Sequence, residues 1–112
     1  KGVIHIHDLT HSIIGYCAGW SLEKLLLMGF GNIRGQVDSK PAKHLDTVIL
    51  HIINFLRCSY NEFAGAQAFS SVDTYLAPFV KYDNLSFDQV KQNLQRLIFS
   101  LNIDILFVLI VP

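Results

Sequence analysis

The apolar positions of this chain change period several times, and the changes divide it into elements. Val3, Ile4 and Ile6 surround His5 and His7, which predicts a short strand over 3–8. Alternate side chains of a strand share a face, so His5 and His7 point with Val3, and Ile4, Ile6 and Asp8 point away. Residues 10–16 keep no period and read as a loop or a short helical turn. Ser21 then reads as an N-cap with Glu23 in the first turn, Leu22, Leu25 and Leu26 supply an apolar face, and Gly29 is the expected stop. A connector over 30–40 follows.

Leu45, Val48, Ile49, Ile52 and Leu56 fall at i, i+3, i+4, i+7 and i+11, the stripe of a buried helix. This helix is expected to open at Ser39 or Lys40, with Pro41 tolerated in its first turn. Ile53 and Phe55 widen the stripe, so burial on more than one side is predicted. Over 61–80, the small residues Ala64, Gly65, Ala66 and Ala68 precede Phe69, Val72, Tyr75, Leu76 and Phe79. That pattern predicts a helix in the middle of a packed layer, kinked or ended by Pro78. A turn over 81–84 leads to a capping box at Ser86 and Gln89, with Leu85 and Val90 as the hydrophobic staple. Val90, Leu94, Leu97, Ile98 and Leu101 form the stripe of this last helix, and Asn102 is its stop. The run 105–111 is wholly apolar and reads as a strand buried on both faces.

The composition sharpens this outline. The chain has 112 residues, of which 51% are hydrophobic and only 16% charged, too little charge to cover a free-standing small domain. The chain also opens inside a strand pattern and closes straight after an apolar run, so it is expected to be an excerpt of a larger body. Nine basic and nine acidic residues cancel, leaving no electrostatic footprint for nucleic acid. Two distant cysteines form neither a disulfide framework nor a C-x-x-C pair, which favours a reducing compartment. No apolar run approaches the ~20 residues of a membrane helix. The expectation is a cytoplasmic protein with no membrane and no nucleic-acid partner.

Candidate chemistry gathers near the start. Gly15 and Gly19 frame Cys17 where a backbone can approach a ligand closely, beside a strand carrying His5 and His7. An H-x-H on a strand can contribute two imidazoles to zinc, as barrel metal hydrolases do, although later ligands at a matching spacing are lacking. His44 and His51 fall two turns apart at the polar edge of the long helix, His11 in a loop, and Asp73 where it caps or pairs locally. Cys58 lies late in a helix beside Arg57. On spacing alone three readings stand: a thiol pocket, an H-x-H hydrolase fragment, and a helical interaction module without chemistry.

Taken together, five blocks resemble one family. They are His5-Ile6-His7-Asp8-Leu9, Gly15-Tyr16-Cys17-Ala18-Gly19-Trp20-Ser21-Leu22, Pro41-Ala42-Lys43-His44-Leu45-Asp46-Thr47, Ala64-Gly65-Ala66-Gln67-Ala68-Phe69-Ser70 and Asp73-Thr74-Tyr75-Leu76-Ala77-Pro78-Phe79. In this order they resemble the class III anaerobic ribonucleoside-triphosphate reductases, which are glycyl-radical enzymes. The similarity runs over about 2–102. Over 103–112 the family's polar stretch is replaced by a divergent apolar tail, as a truncated, frame-disrupted or interrupted gene would produce.

The resemblance implies a fragment of a ten-stranded α/β barrel, itself helix-rich α+β: one N-terminal strand, about four helices and a C-terminal strand, in a single partial domain over 1–112. It implies radical reduction of ribonucleotides to deoxyribonucleotides. An iron–sulfur, S-adenosylmethionine activase places a radical on a glycine, the radical passes to a barrel cysteine, and the thiyl removes the 3′ hydrogen. The position matching the second cysteine, which assists loss of the 2′ hydroxyl with formate as reductant, is Cys17. His7 matches a histidine lining the substrate site, and the pattern is looser at His5. No cofactor is expected within this chain. The glycyl radical, a structural zinc, a nucleotide effector and a homodimer are expected of the full-length parent, and the isolated chain is expected to be inactive.

Overall fold

The structure is a computed structural model that describes residues 2–5, 14–31, 34–102 and 107–110. Its elements in chain order are β1 (Ala18–Trp20), α1 (Leu22–Met28), α2 (Leu45–Tyr60), β2 (Gln67–Ser70), α3 (Val72–Tyr82), α4 (Phe87–Leu101) and β3 (Phe107–Ile110). The strands form one parallel sheet in the order β1-β2-β3, with Ala18 opposite Gln67, Trp20 opposite Phe69 and Gln67 opposite Phe107. Each strand reaches the next through two helices, the long return that parallel pairing demands. Among the described residues the result is a small helix-rich fragment in which four helices share a core with a parallel sheet.

The first strand differs from the expectation. Residues 2–5 carry no regular structure and are exposed; the rest of the strand predicted over 3–8 lies outside the described residues. The first observed strand is β1, in the stretch between the framing glycines and Ser21. The tail does form a strand, and β3 pairs with β2 along all four of its residues.

α1 follows its caps closely. Ser21 Oγ accepts from the Lys24 amide at 3.3 Å. Gly29 ends the helix at φ 75°, a left-handed conformation that a side chain would strain, and its N–H donates to the Leu25 carbonyl at 2.9 Å. The connector is clamped by a short antiparallel bridge between Phe30 and Ser39.

That bridge explains why α2 starts later than its pattern suggests. Ser39 is held in extended backbone by Phe30, and the helix begins only at Leu45, after His44. Its first turn is capped from another element: the Asp83 carboxylate, at the end of α3, accepts from the Leu45 amide at 3.1 Å and sits 2.7 Å from His44 Nδ1. The hydrogen bond from His44, then that from Leu45, holds the Asp83 carboxyl below the usual carboxylate range.

The single helix expected over 61–80 is instead a turn, a strand and a helix. Residues 64–66 and β2 pair with the segment around Cys17, and these tertiary bonds outweigh the helix preference of the alanines. β2 passes to α3 through one residue, Ser71, whose φ of 54° is left-handed and turns the chain sharply. Pro78 does not end α3, which continues to Tyr82. The amide it lacks would have met the Thr74 carbonyl; both residues are exposed, so water can take that place. α4 keeps its capping box, with the Ser86 amide donating to Gln89 Oε1 at 2.8 Å and the Gln89 amide to Ser86 Oγ at 3.3 Å.

The core lies between the helices and one face of the sheet. Leu22, Leu45, Val48, Ile49, Ile52, Leu56, Phe69, Leu97 and Leu101 are all buried, and each such side chain contributes about 1.5–3 kcal/mol. α2 is the central element, buried on several sides as its wide stripe predicts. Arg57 ties it to α4 by donating from Nη2 to the Ser100 carbonyl at 2.9 Å.

Candidate active-site wall

Cys17 is the residue before β1, and the backbone on both sides of it is already paired. The Ala64 N–H donates to the Gly15 carbonyl at 3.0 Å, the Gly65 N–H to the Tyr16 carbonyl, and the Ala18 N–H to the Ala66 carbonyl at 3.1 Å. These bonds lead directly into the β1–β2 ladder, so the thiol is carried by a hydrogen-bonded strip rather than by a free loop. Cys17 is a free, exposed thiol.

Strand alternation assigns the faces. Ala18 and Trp20 of β1 lie on the same face as their partners Gln67 and Phe69. Trp20 meets the rings of Phe55 and Phe63 edge to face at 5.1 and 5.5 Å. Its indole N–H donates to Gln67 Oε1 at 2.9 Å, and Gln67 Nε2 donates to the Leu56 carbonyl at 3.3 Å. Gln67 has no exposed surface, and this arrangement satisfies both ends of its amide. β1, β2 and α2 are thereby locked at one point. Cys17 and Gly19 belong to the opposite face, with Ala68 and Ser70, all small residues.

Two glycines make the close approach possible. A Cβ at Gly65 would lie 2.7 Å from the Tyr16 carbonyl oxygen and 2.8 Å from Cys17 Sγ. A Cβ at Gly15 would meet the Phe63 ring at 2.9 Å. The small-residue run read from sequence as helix packing thus serves the approach of two extended segments.

The other candidates separate. His7 and His11 lie outside the described residues. His5 is exposed, and among the described residues no three of His, Cys, Asp or Glu gather as metal ligands. Cys58 lies on α2, its Sγ 3.5 Å from the Gln36 side-chain amide, away from the Cys17 strip. Asp73 accepts locally, from Thr74 Oγ1 at 3.5 Å. His44 is exposed at the start of α2, as its edge position predicts. His51 is not at an edge: it is 4% exposed, its ring tilted against that of Phe30 with centroids 6.4 Å apart, and its Nε2 lies 2.8 Å from Ser39 Oγ. Its Nδ1 has no partner among the described residues, and burial lowers its pKa below the ordinary value. The wide apolar stripe around it was the available signal. Gln67 was missed as well, although it is the one amide in the run Ala64 to Phe69.

Two hollows border the sheet. One, of about 380 Å³, lies at the carboxyl ends of β1 and β2 between Gly19, Ser70 and Tyr75; the other, of about 850 Å³, lies between α1, the connector and α2. Cys17 lines neither. Gly19, Ala68 and Ser70 of the small-residue face line the smaller hollow, and Cys17 lies on the same face outside it.

A parallel sheet with two helices between successive strands, and a free thiol on its exposed face, is a piece of an α/β architecture. A family model described as anaerobic ribonucleoside-triphosphate reductase matches residues 1–105, and the chain belongs to that family. Solved structures agree. The anaerobic ribonucleotide reductase from Thermotoga maritima in complex with dATP and CTP is 30% identical, with a TM-score of 0.74 over 88% of this chain and 18% of that one. The same enzyme with citrate in the active site is 31% identical, with a TM-score of 0.75 over 88% and 20%. A further anaerobic ribonucleotide reductase is 28% identical, with a TM-score of 0.78 over 94% and 19%. The chain therefore spans about a fifth of the reductases it matches. No match is found among curated proteins. No helix among the described residues is long and apolar enough to cross a membrane.

Proposed function

We propose that this chain forms one wall of the catalytic barrel of an anaerobic ribonucleoside-triphosphate reductase, with Cys17 as the thiol facing the substrate ribose. The observation that carries the reading is the free thiol held on the small-residue face of a parallel sheet in a chain of this family. Parallel sheets are ordinarily covered on both faces. The helices of this chain cover one, and in a ten-stranded barrel the other looks inward, onto the substrate.

In this reading a thiyl radical formed on another part of the full-length reductase removes the 3′ hydrogen of a ribonucleoside triphosphate. Cys17 assists departure of the 2′ hydroxyl as water, and formate supplies the reducing electrons and leaves as carbon dioxide. His7 lines the same site. The radical-bearing glycine, the structural zinc and the effector site belong to the rest of the parent, as does the contact with the iron–sulfur activase. A homodimer in the cytoplasm is the proposed working form, and two free cysteines suit a reducing compartment. The isolated chain, lacking the radical glycine and the abstracting thiol, forms no deoxynucleotide.

The test is Cys17→Ser in the full-length reductase. Serine preserves size and hydrogen bonding, but an O–H bond is too strong to exchange a hydrogen atom with a ribose radical. The glycyl radical, followed by electron paramagnetic resonance, is expected to form normally while nucleotide analysis finds no deoxynucleotide. Turnover near the parental rate would remove Cys17 from the site; loss of the radical signal would make it structural or earlier-acting.

A further inference from the structure

We infer that Gly65 is a positioning residue for the Cys17 thiol, holding its sulfur in place by having no side chain. The inference rests on the proposed role of Cys17 and adds a residue to it. Three observations on two separate segments converge. The Gly65 N–H donates to the carbonyl of Tyr16, the residue before the thiol. A Cβ at Gly65 would sit 2.8 Å from Cys17 Sγ and 2.7 Å from that same carbonyl oxygen; real Cβ atoms do not come so close, so the sulfur, the backbone or both must move. The neighbouring bonds, Ala64 to Gly15 and Ala18 to Ala66, fix both strips on either side. The strain of a side chain at Gly65 therefore falls on the Tyr16 carbonyl and the Cys17 sulfur instead of spreading along the chain.

The hydrogen bond and the missing Cβ act together. The first sets the distance between the strips, and the second lets Sγ occupy the space directly over Gly65. Below the sheet, the Trp20–Gln67–Leu56 bonds keep β1 from sliding along β2 to relieve a clash. A thiol exchanging hydrogen atoms with a substrate radical depends on such placement, since a displacement of about 1 Å can cost about 100-fold in rate.

The experiment places Gly65→Ala in the full-length, activated reductase, beside the parent and Cys17→Ser. Product, the glycyl radical signal and the rate of alkylation of Cys17 by iodoacetamide are measured, with Cys58 as the internal reference. The expected result is a loss of product of about 100-fold, an unchanged radical signal, and an altered alkylation rate at Cys17 but not at Cys58. A glycine needed only for folding would leave no change confined to Cys17. Parental turnover with an unchanged Cys17 rate overturns the inference. If Cys17→Ser abolishes product while Gly65→Ala keeps it, only the role of Gly65 fails; if Cys17→Ser also keeps it, the assignment of Cys17 fails first. Should Gly65→Ala not fold, it is combined with Cys17→Ala. Recovery of folding assigns the conflict to the sulfur and supports the inference, whereas continued failure assigns the glycine to the Tyr16 backbone and overturns it.

Discussion

On one face of the β1–β2 pair, Trp20, Gln67 and Phe69 lie under α2, with rings 5.1 to 5.6 Å apart and each amide group of Gln67 matched. On the other, Cys17, Gly19 and Ser70 are exposed beside Ala68. The first face is filled by large side chains, with Gln67 and Phe69 fully buried. The second has no residue large enough to seat a helix and carries instead an exposed free thiol. The contrast teaches that the same two strands differ in their two sides: one stabilises this fragment, and the other, in the function proposed above, faces the substrate. Substitutions should therefore separate stability from activity according to face.

The largest stability effect belongs to the packed side. Ile52 is fully buried on α2, and Ile52→Ala should destabilise the chain by about 2–5 kcal/mol in urea titration. A smaller loss would mean that the core relaxes around the cavity and that this face is less tightly built than it looks.

Gln67→Leu probes the seam between the faces. It retains bulk but leaves the Trp20 indole N–H without an acceptor, so a loss of about 1–3 kcal/mol is expected, with altered Trp20 fluorescence. If stability is unchanged, the hydrogen bonds do not lock β1 to β2 and packing alone holds the strip.

A dependence on pH should also come from the packed side. Burial lowers the pKa of His51, so the imidazole is neutral in the fold while the unfolded chain takes up a proton below about pH 6.5. The unfolded state then binds more protons, and stability falls as pH drops from about 6.5 toward the folded-state pKa. His51→Gln should flatten the urea midpoint between pH 7.5 and 5.5. Asp83 acts in a lower window. Its carboxyl is held below the usual range, so its contribution is complete above about pH 3.9 and is lost as pH falls through its folded value.

The smallest effect is expected on the open face. Nothing lies within 4 Å of a Cβ at Gly19, so Gly19→Ala should leave the stability of the chain unchanged or raise it by about 0.4–1 kcal/mol. In the full-length reductase the same methyl group would narrow the substrate side of the sheet and lower turnover. Parental turnover there would argue that this part of the face is not near substrate.

Much of this molecule is legible in local patterns. The cap at Ser21, the stop at Gly29, the box at Ser86 and Gln89, and the stripe of α2 each depend on residues within a turn or two, and each appears where its pattern puts it. The blocks around Cys17 and Gly65 carry the family, and the thiol stands out between its glycines. What local patterns could not reveal is pairing at a distance. Residues 64–70 form strand approach and strand because residues 15–20 offer backbone partners almost fifty positions away in sequence. α2 starts late because Ser39 is bridged to Phe30 and because the cap at Leu45 comes from Asp83. His51 is buried because the connector folds over it. In each case a hydrogen bond or an apolar surface is satisfied by a group that no window of neighbouring residues contains, so only the tertiary structure could decide it.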